Sequence, residues 1–294
     1  MAANLRLVMD DSGSSPRLRV GQRLDKYRLV KRLGEGGFAT VFHAHDTIED
    51  RQVALKIPDA RYVENTQSIE DMQREVRIMA GLDHPGVLPL KDARFIEGYF
   101  VMVFPLGDET LAERFTRRMA RATSIGYVRQ MVNAISYAHE NRVLHRDIKP
   151  ENFILFPGNR LCLTDFGLAR IEHGRHGISA SGTLGYIAPE QAMGKPTYRS
   201  DVFSLGLVVY RMLSGELPEY PFEPPLPSYN KLRRGLHQDF VDWVRKAIDP
   251  KPNRRFRDGV AMKNALDRIR TVITDRGSAG TKSSRSSRRS SQAA

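Results

Sequence analysis

The sequence predicts an α+β fold in two lobes, a small β-rich N-terminal lobe with one main helix and a larger, mostly helical C-terminal lobe. Short alternating runs separated by Gly-rich or polar turns occupy residues 27–58, whereas apolar residues beyond about residue 107 repeat at helical spacing. A chain of 294 residues is long enough for one large core or two small lobes. The expected segments are a flexible lead-in (1–26), the N-lobe (27–105), the C-lobe (106–272) and a disordered, basic, Ser-rich tail (273–294).

The composition is that of an ordinary globular protein, with 40% hydrophobic and 27% charged residues. No apolar run approaches the roughly 20 residues that span a bilayer, and the N-terminus lacks the apolar core of a signal peptide. The single cysteine, Cys162, excludes an intrachain disulfide and lies in an apolar stretch where burial is expected. We therefore expect a cytoplasmic protein without a membrane span.

The formal charge of +12 raises nucleic acid or an anionic membrane surface as partners. About five of these charges lie in the tail, which contains no acid between residues 276 and 294, and the others are scattered along the sequence. Specific nucleic-acid binding is therefore not expected. The tail carries self-phosphorylated serines, or contacts acidic partners, or is simply solvated.

Three strand-like runs, residues 27–33, 40–46 and 52–58, predict an antiparallel meander with one packed face and one face toward a ligand. Glycines in the first turn let the backbone approach a phosphate, although Gly-rich hairpins are common and indicate little alone. A dinucleotide-binding motif would need a helix after the glycines, whereas a strand follows here. The turn consists of Leu33, Gly34, Glu35, Gly36, Gly37, Phe38, Ala39, Thr40 and Val41.

The third run carries a lysine between apolar neighbours. Alternation places Ala54 and Lys56 on the same strand face, beneath the Gly-rich turn. A lysine in such a strand usually extends its ammonium group to solvent. Here its position predicts a binding role instead.

One helix is predicted over residues 68–80, ended by Gly81, with a buried stripe that includes Met72 and Met79. Glu75 lies at the edge of this stripe, and a partly inward acid needs a partner. Lys56 is the expected partner. A surface pairing of Glu75 with the neighbouring arginines of the helix is the alternative.

The C-lobe is predicted to be helical over residues 107–144, 202–213, 236–248 and 258–272. The segment 202–213 is apolar nearly all round, which indicates a fully buried helix. Asp201 stands at its first turn, where an acid can simply complement the helix dipole.

Residues 145–152 form the most informative stretch, His145-Arg146-Asp147-Ile148-Lys149-Pro150-Glu151-Asn152, followed thirteen residues later by Asp165-Phe166-Gly167. Asp147 can accept a proton from a hydroxyl nucleophile, and Lys149 can neutralise charge on a phosphoryl group. Asn152 and Asp165 both offer an oxygen to a hard cation. Each tripeptide arises often by chance, but the two together at this separation are a specific signal.

These motifs resemble the catalytic loop and the metal-binding turn of the protein kinases, and the similarity covers about residues 27–270. The chain is similar to the bacterial eukaryotic-like (Hanks-type) serine/threonine kinases. The resemblance implies ATP between the lobes and Mg²⁺, with Mn²⁺ as an alternative, on Asn152 and Asp165. It implies that Lys56 contacts the phosphates and pairs with Glu75. Ala39 departs from the family, which has a third glycine at that position.

The resemblance also predicts the hinge between the lobes, after strands near residues 87–95 and 99–104. If Met102 guarded the pocket, Pro105 would fall where a backbone N–H is needed, and proline has none. With Val103 as the guard, Leu106 supplies the donor and Phe104 the carbonyl, and this register is preferred. Ile154 is expected to form the floor under the adenine.

Further residues follow from the resemblance. The segment 182–190 is similar to the substrate-docking loop, with Glu190 paired to Arg255, and Asp201 is expected to steady the catalytic loop. Lys149 and Thr183 favour serine and threonine over tyrosine as acceptors. Arg146, beside the catalytic Asp, predicts regulation by a phosphorylated residue in the segment 168–183, with Ser179 and Ser181 as candidates. The proline-heavy segment 218–227 departs from the family, which usually has a short helix and a docking surface there.

The expected function is therefore phosphoryl transfer from ATP to serine or threonine hydroxyls of protein substrates. A pseudokinase, which uses the same fold as a binding module, is the alternative. The complete set of Lys56, Glu75, Asp147, Asn152 and Asp165 argues against it. A small-molecule phosphotransferase is a third hypothesis, disfavoured by the docking segment 182–190.

Overall fold

The computed structural model describes residues 18–36, 39–59, 66–166, 184–222 and 225–271. For residues 66–69, 71, 75 and 184 it describes the backbone alone. The predicted two-lobed α+β architecture is confirmed in these residues, with strands dominating the first part and helices the second.

A six-stranded antiparallel sheet in the order β1-β2-β3-β4-β6-β5 forms the N-lobe. Alternating side chains pack one face of strands β2 and β3, which explains why the sequence alternates there. The strands are β1 (Arg23–Leu24), β2 (Tyr27–Glu35), β3 (Ala39–Asp46), β4 (Arg51–Pro58), β5 (Asp92–Ile96) and β6 (Tyr99–Pro105).

The ordered N-lobe begins before Tyr27, within the segment that the sequence predicted as a flexible lead-in. Strand β1 pairs with the start of β2, and both Leu18 and Leu24 are buried in the N-lobe core. A two-residue strand gives no periodicity, so only burial of these two leucines shows that the segment is folded.

Helix α1 (Thr66–Ala80) begins close to the predicted position and ends just before Gly81, as predicted. The predicted strand over residues 87–95 is wrong in its first half, because β5 begins at Asp92. The backbone of residues 86–88 bonds Leu163 instead, with the Leu88 N–H donating to the Leu163 carbonyl at 2.8 Å. Its apolar residues are therefore buried at the junction of the lobes rather than in the sheet.

The two faces of the N-lobe sheet pack into different cores. One core contains Leu55, Val101 and Val103 together with the buried leucines near the N-terminus. The opposite face carries Met102 and Phe104, which pack toward α1 and the C-lobe. Since side chains alternate along a strand, Lys56 lies on this second face, opposite to its neighbour Leu55.

In the residues that the structure describes, the C-lobe combines three short strands and seven α-helices, with long, buried helices at its centre. The helix predicted over residues 107–144 is wrong at both ends. At the start, a strand and a short helix, capped by reciprocal Thr110–Glu113 bonds, precede the long helix. At the end, the long helix stops at Glu140. The elements are β7 (Glu109–Thr110), α2 (Leu111–Arg114), α3 (Arg121–Glu140), β8 (Phe153–Phe156), β9 (Arg160–Leu163), α4 (Pro189–Ala192), α5 (Tyr198–Ser214), α6 (Tyr229–Arg233), α7 (Gln238–Ala247) and α8 (Gly259–Asp267).

Helix α5 is buried along nearly its whole length, as its apolar sequence predicts. A Cβ on Gly206 would lie 2.7 Å from the Ile248 side chain, so this glycine allows the chain beyond α7 to approach closely. The helix ends at Gly215, whose φ of +86° favours glycine. Within the described residues, no helix combines the length and the apolar composition needed to cross a bilayer.

Candidate active site

The catalytic loop is held from below by a buried carboxylate at the start of α5. Asp201 is fully buried and accepts the backbone N–H groups of His145 and Arg146, both at 2.8 Å. Arg146 has a φ of +70°, which is unusual for a residue with a side chain. The two bonds from Asp201 fix this strained backbone, so the predicted role of Asp201 in steadying the loop is confirmed.

A histidine connects Asp201 to the far end of the lobe. The Nδ1 atom of His139 accepts the backbone N–H of Gly259 at 2.8 Å, at the start of α8. Because a backbone N–H can only donate, the imidazole proton lies on Nε2, which donates to Asp201 at 3.0 Å. No sequence pattern pointed to this residue, because a histidine on a helix face has no diagnostic spacing.

The loop brings the three predicted polar residues together. The Lys149 ammonium lies 2.7 Å from the Asp147 carboxylate, and the Asn152 amide donates to the same carboxylate at 3.0 Å. That amide also donates to the Asp147 carbonyl at 2.7 Å. Asp147 is thereby fixed next to a cation, as a group that must bind and orient a hydroxyl requires.

An ion pair joins the two lobes across the site. The Lys56 ammonium lies 2.6 Å from the Asp165 carboxylate, although the two residues are 109 positions apart. Burial disfavours ionisation of Asp165, but Lys56, with His145 and Lys149, outweighs it and lowers the pKa of this carboxyl. Asp165 is therefore a carboxylate at neutral pH. The Thr164 N–H donates to the Asn152 carbonyl at 2.9 Å, which ties this ion pair to the catalytic loop.

Asn152 and Asp165 form a donor set that suits a hard divalent cation. Both hydrogens of the Asn152 amide are used by Asp147, which leaves its side-chain oxygen to face a ligand. Within the described ranges, no group of three His, Cys, Asp or Glu side chains could form a metal cage. Mg²⁺ fits such a site, because it binds one or two protein oxygens and completes its shell with phosphate and water.

The Gly-rich turn joins β2 to β3, whose Val41 pairs with Lys56 across β3 and β4. Leu33 is exposed and Ala39, Val41 and Ala54 are half-buried. The Gly36 N–H donates to the Ala39 carbonyl at 3.0 Å and closes the hairpin. Gly34 and Glu35 belong to β2, whereas Gly37 and Phe38 lie outside the described residues.

The hinge shows that the preferred guard residue is wrong. Val103 packs into the core on the sheet face opposite to Lys56, so its side chain does not face the site. Met102 pairs with Lys56 across β4 and β6 and lies on the site's face, as does Phe104. Proline elimination misled the sequence argument, because strand alternation decides which side chains face the cleft.

The hinge continues into a close contact that the sequence did not single out. A Cβ on Gly107 would lie 2.2 Å from Ile154 and 2.8 Å from the Leu155 carbonyl, so only glycine fits. The Asp108 N–H donates to the same carbonyl at 2.8 Å. This contact holds the hinge against Ile154 and Leu155 of β8.

Several predicted positions lie outside the residues that the structure describes. The residues Ser179, Ser181 and Thr183 are not described, nor is the side chain of Glu75. By contrast, the pairing of Glu190 with Arg255 is confirmed, with two bonds at 2.8 and 3.2 Å. Cys162 is buried, as predicted, and burial raises the pKa of its thiol.

A lysine paired with an acid across the two lobes, beside a loop Asp held by a lysine and an asparagine, is the arrangement expected of a phosphoryl-transfer site. Residues 27–255 match the sequence model of the protein kinase domain, and the chain belongs to this family. The predicted kinase fold and the likeness to the Hanks-type bacterial kinases are thereby confirmed.

Two curated bacterial relatives are similar over much of this chain. Serine/threonine-protein kinase PrkC of Bacillus subtilis is 33% identical over 207 residues, which is 68% of this chain and 32% of the relative. Serine/threonine-protein kinase PknD of Mycobacterium tuberculosis is 33% identical over 258 residues, 81% of this chain and 39% of the relative. The chain thus spans between about a third and two fifths of these relatives' lengths.

A solved structure has the same fold. The crystal structure of the Mycobacterium tuberculosis PknI kinase domain superposes with a TM-score of 0.65 at 24% sequence identity. The superposition covers 85% of this chain and 99% of that domain.

Proposed function

We propose that this chain is a serine/threonine protein kinase that transfers the γ-phosphoryl group of ATP to hydroxyl groups of protein substrates. The observation that carries the proposal is the convergence of two acids. Asp165 is paired with Lys56 of the N-lobe, and Asp147 is fixed by Lys149 and Asn152 of the C-lobe. The bond from Thr164 to Asn152 holds both acids in one site.

Each residue has a role that its position supports. When bound, ATP supplies the transferable phosphoryl group and Mg²⁺ neutralises its charge. Asn152 and Asp165 offer the oxygen ligands for the ion, and Lys56 binds and orients the phosphates. Asp147 positions the acceptor hydroxyl and accepts its proton, while Lys149 stabilises developing negative charge.

Further parts of the proposal concern nucleotide cover and acceptor choice. Leu33, Val41, Ala54, Phe104 and Ile154 would enclose the adenine. With Met102 facing the site, the donor position of the hinge falls on Pro105, which has no N–H, so the N–H of the next residue, Leu106, is the proposed donor. Preference for serine and threonine rests on the resemblance at Lys149 and Thr183.

Regulation by self-phosphorylation of Ser179 or Ser181 also stays a prediction. It rests on the position of Arg146 next to the catalytic Asp, where a guanidinium can bind a phosphoryl group of the same chain. Mass spectrometry of the active protein after incubation with Mg²⁺ and ATP tests it. Finding neither serine modified would overturn it.

The enzymatic proposal is tested by transfer of radiolabelled phosphate from ATP to generic protein substrates. We expect transfer by the wild type and a loss of at least about a hundredfold in Asp147→Asn, because the general base is removed. Asp242→Asn, at an exposed position on α7, should retain wild-type rates. Equal transfer by wild type and Asp147→Asn would contradict the proposal, as would no transfer by either.

A further inference from the structure

One surface of the C-lobe combines three segments that are far apart in sequence, residues 114–121, 211–216 and 231–234, here called the basic face. Arg121 joins them: its guanidinium donates to the Leu213 carbonyl at 3.2 Å and to the Arg234 carbonyl at 3.1 Å. The Arg211 guanidinium lies over the Phe115 ring, 5.5 Å from its centroid. The three segments therefore form one continuous surface.

The basic face is strongly cationic. Its acidic residues are limited to Glu216, which lies 3.8 Å from Lys231. Arg117 pairs with Glu109 just outside the face. Within the described part of the chain, the other arginines of the face have no carboxylate within 4 Å. The cationic residues of the face are Arg114, Arg117, Arg118, Arg121, Arg211, Lys231, Arg233 and Arg234.

The fold brings together positive charges that are far apart in the sequence. In the sequence these residues look scattered, because they fall in three separate segments. In the fold they occupy one surface, whereas exposed charges elsewhere commonly form pairs such as Arg245 with Asp242. An uncompensated patch of one sign attracts a partner of the opposite sign.

Arg211 places the inner edge of this face beside the catalytic loop. Its guanidinium donates to the Tyr186 hydroxyl at 2.6 Å. Gln191, in the short helix that follows Tyr186, donates to the Arg146 carbonyl of the catalytic loop at 2.5 Å. Helix α2, which ends beside Phe115, packs against the turn Pro150–Asn152 of the same loop, so Arg211 lies close to the residues that surround Asp147.

Arg211 is also held in a defined orientation. It is half-buried, lies over Phe115 and uses one N–H for Tyr186, which leaves further N–H groups for a ligand. A pre-oriented guanidinium loses less entropy when it binds a carboxylate, and it can bind with two parallel bonds.

We propose that the basic face binds acidic side chains of the protein substrate, and that Arg211 determines a preference for an acidic residue within a few positions of the acceptor hydroxyl. This inference rests on the proposed kinase function. The substrate acid binds on the side of Phe115 and the remaining arginines, to the N–H groups of Arg211 that Tyr186 does not use.

The test compares two labelled peptides with one serine, one flanked by Asp and Glu and the other by Asn and Gln. Binding is measured by fluorescence anisotropy with Mg²⁺ and a non-hydrolysable ATP analogue, and phosphorylation of the same peptides by initial rates. We expect the wild type to bind the acidic peptide at least about fivefold more tightly, since a partly exposed charge pair contributes about 1 kcal/mol. Raising the salt concentration to about 1 M should reduce this preference.

Three variants identify which residues produce the preference for the acidic peptide. Arg211→Gln keeps a donor for Tyr186 but removes the charge, and should bring the ratio of the two affinities close to one. The double variant R118E/R233E does not touch Tyr186 and should also reduce the ratio. Arg28→Glu makes the same charge change per residue at an exposed position on β2 and should keep the wild-type ratio.

The outcomes separate this inference from the proposed function. Phosphorylation of both peptides with equal affinities would overturn the acidic preference and leave the kinase function standing. Tighter binding of the acidic peptide without phosphate transfer would support the surface and contradict the enzyme. A ratio that Arg211→Gln leaves unchanged would overturn the role of Arg211. Displacement of the acidic peptide by a short RNA at lower concentration than by unlabelled acidic peptide would assign the face to nucleic acid and overturn the inference.

Discussion

Replacing Asp201 by asparagine tests how strongly the catalytic loop depends on one buried carboxylate. Both oxygens of Asp201 accept loop N–H groups at 2.8 Å, and one of them also accepts from His139 at 3.0 Å. An asparagine keeps one acceptor and directs an NH₂ group at a backbone N–H. One buried donor is then unsatisfied, which costs about 1–3 kcal/mol, and a charge-assisted bond becomes neutral.

We therefore expect Asp201→Asn to lower the free energy of unfolding by about 2–4 kcal/mol, a large share of the roughly 5–15 kcal/mol of a typical domain. Phosphoryl transfer should fall by about a hundredfold, because displacement of the loop misplaces Asp147. The assays are urea unfolding and initial transfer rates.

The matched control for this experiment is Asp242→Asn. Asp242 is exposed and lies 3.6 Å from Arg245, so its loss should change stability by less than about 1 kcal/mol. If both variants unfolded at the same urea concentration as the wild type, the argument that Asp201 holds the loop would be refuted.

Three other changes have calculable outcomes. Because Lys56 lowers the pKa of Asp165, this carboxylate stabilises the fold at pH values above its ordinary pKa of 3.8, and the stabilisation fades only as the pH falls below that value. The free energies of urea unfolding of wild type and Asp165→Asn should therefore differ by a constant amount from pH 7 to 5. A difference that shrinks across that range would contradict the direction of the pKa shift. Arg255→Ala leaves Glu190 without its buried partner and should lower the free energy of unfolding by about 3–5 kcal/mol, measured by heat or urea. The exposed Arg245→Ala should lower it by less than about 1 kcal/mol. Similar losses of stability in the two variants would show that burial of the ion pair does not matter. Gly107→Ala should destabilise the protein by about 1–3 kcal/mol, because the added Cβ would overlap Ile154. Gly126→Ala in α3, where the space around the glycine is open, should be neutral or stabilising by up to about 1 kcal/mol. Calorimetry measures the melting temperatures of both variants, and equal values would contradict the close contact at Gly107.

The sequence predicted those elements that have a regular period and a long enough run. Helix α1 and strands β2 to β4 fall within a few residues of the expected positions, because their apolar residues repeat at 3.6 or alternate. The segment 87–91 is mostly apolar, yet Val87 and Leu88 pair with β9 rather than forming a strand of the N-lobe sheet. Only the tertiary structure distinguishes these two outcomes.

The site was predictable where a motif gives both residue type and spacing. Asp147, Asn152 and Asp165 were found in this way, and the pairing of Glu190 with Arg255 followed from the resemblance. His139 and Gly107 could not be found, because their importance arises from contacts with residues more than 45 positions away. The basic face is of the same kind, since its charges come together through folding and not through sequence proximity.

The most direct test of the account is calorimetric titration of the protein with ATP in the presence and absence of Mg²⁺. If Asp165 is on the metal side and Asp147 on the acceptor side, binding to the wild type should strengthen with Mg²⁺. Asp165→Asn should lose that strengthening, whereas Asp147→Asn should keep it while losing phosphoryl transfer. Equal Mg²⁺ dependence in wild type and Asp165→Asn, or no heat of binding in the wild type, would contradict the central claim.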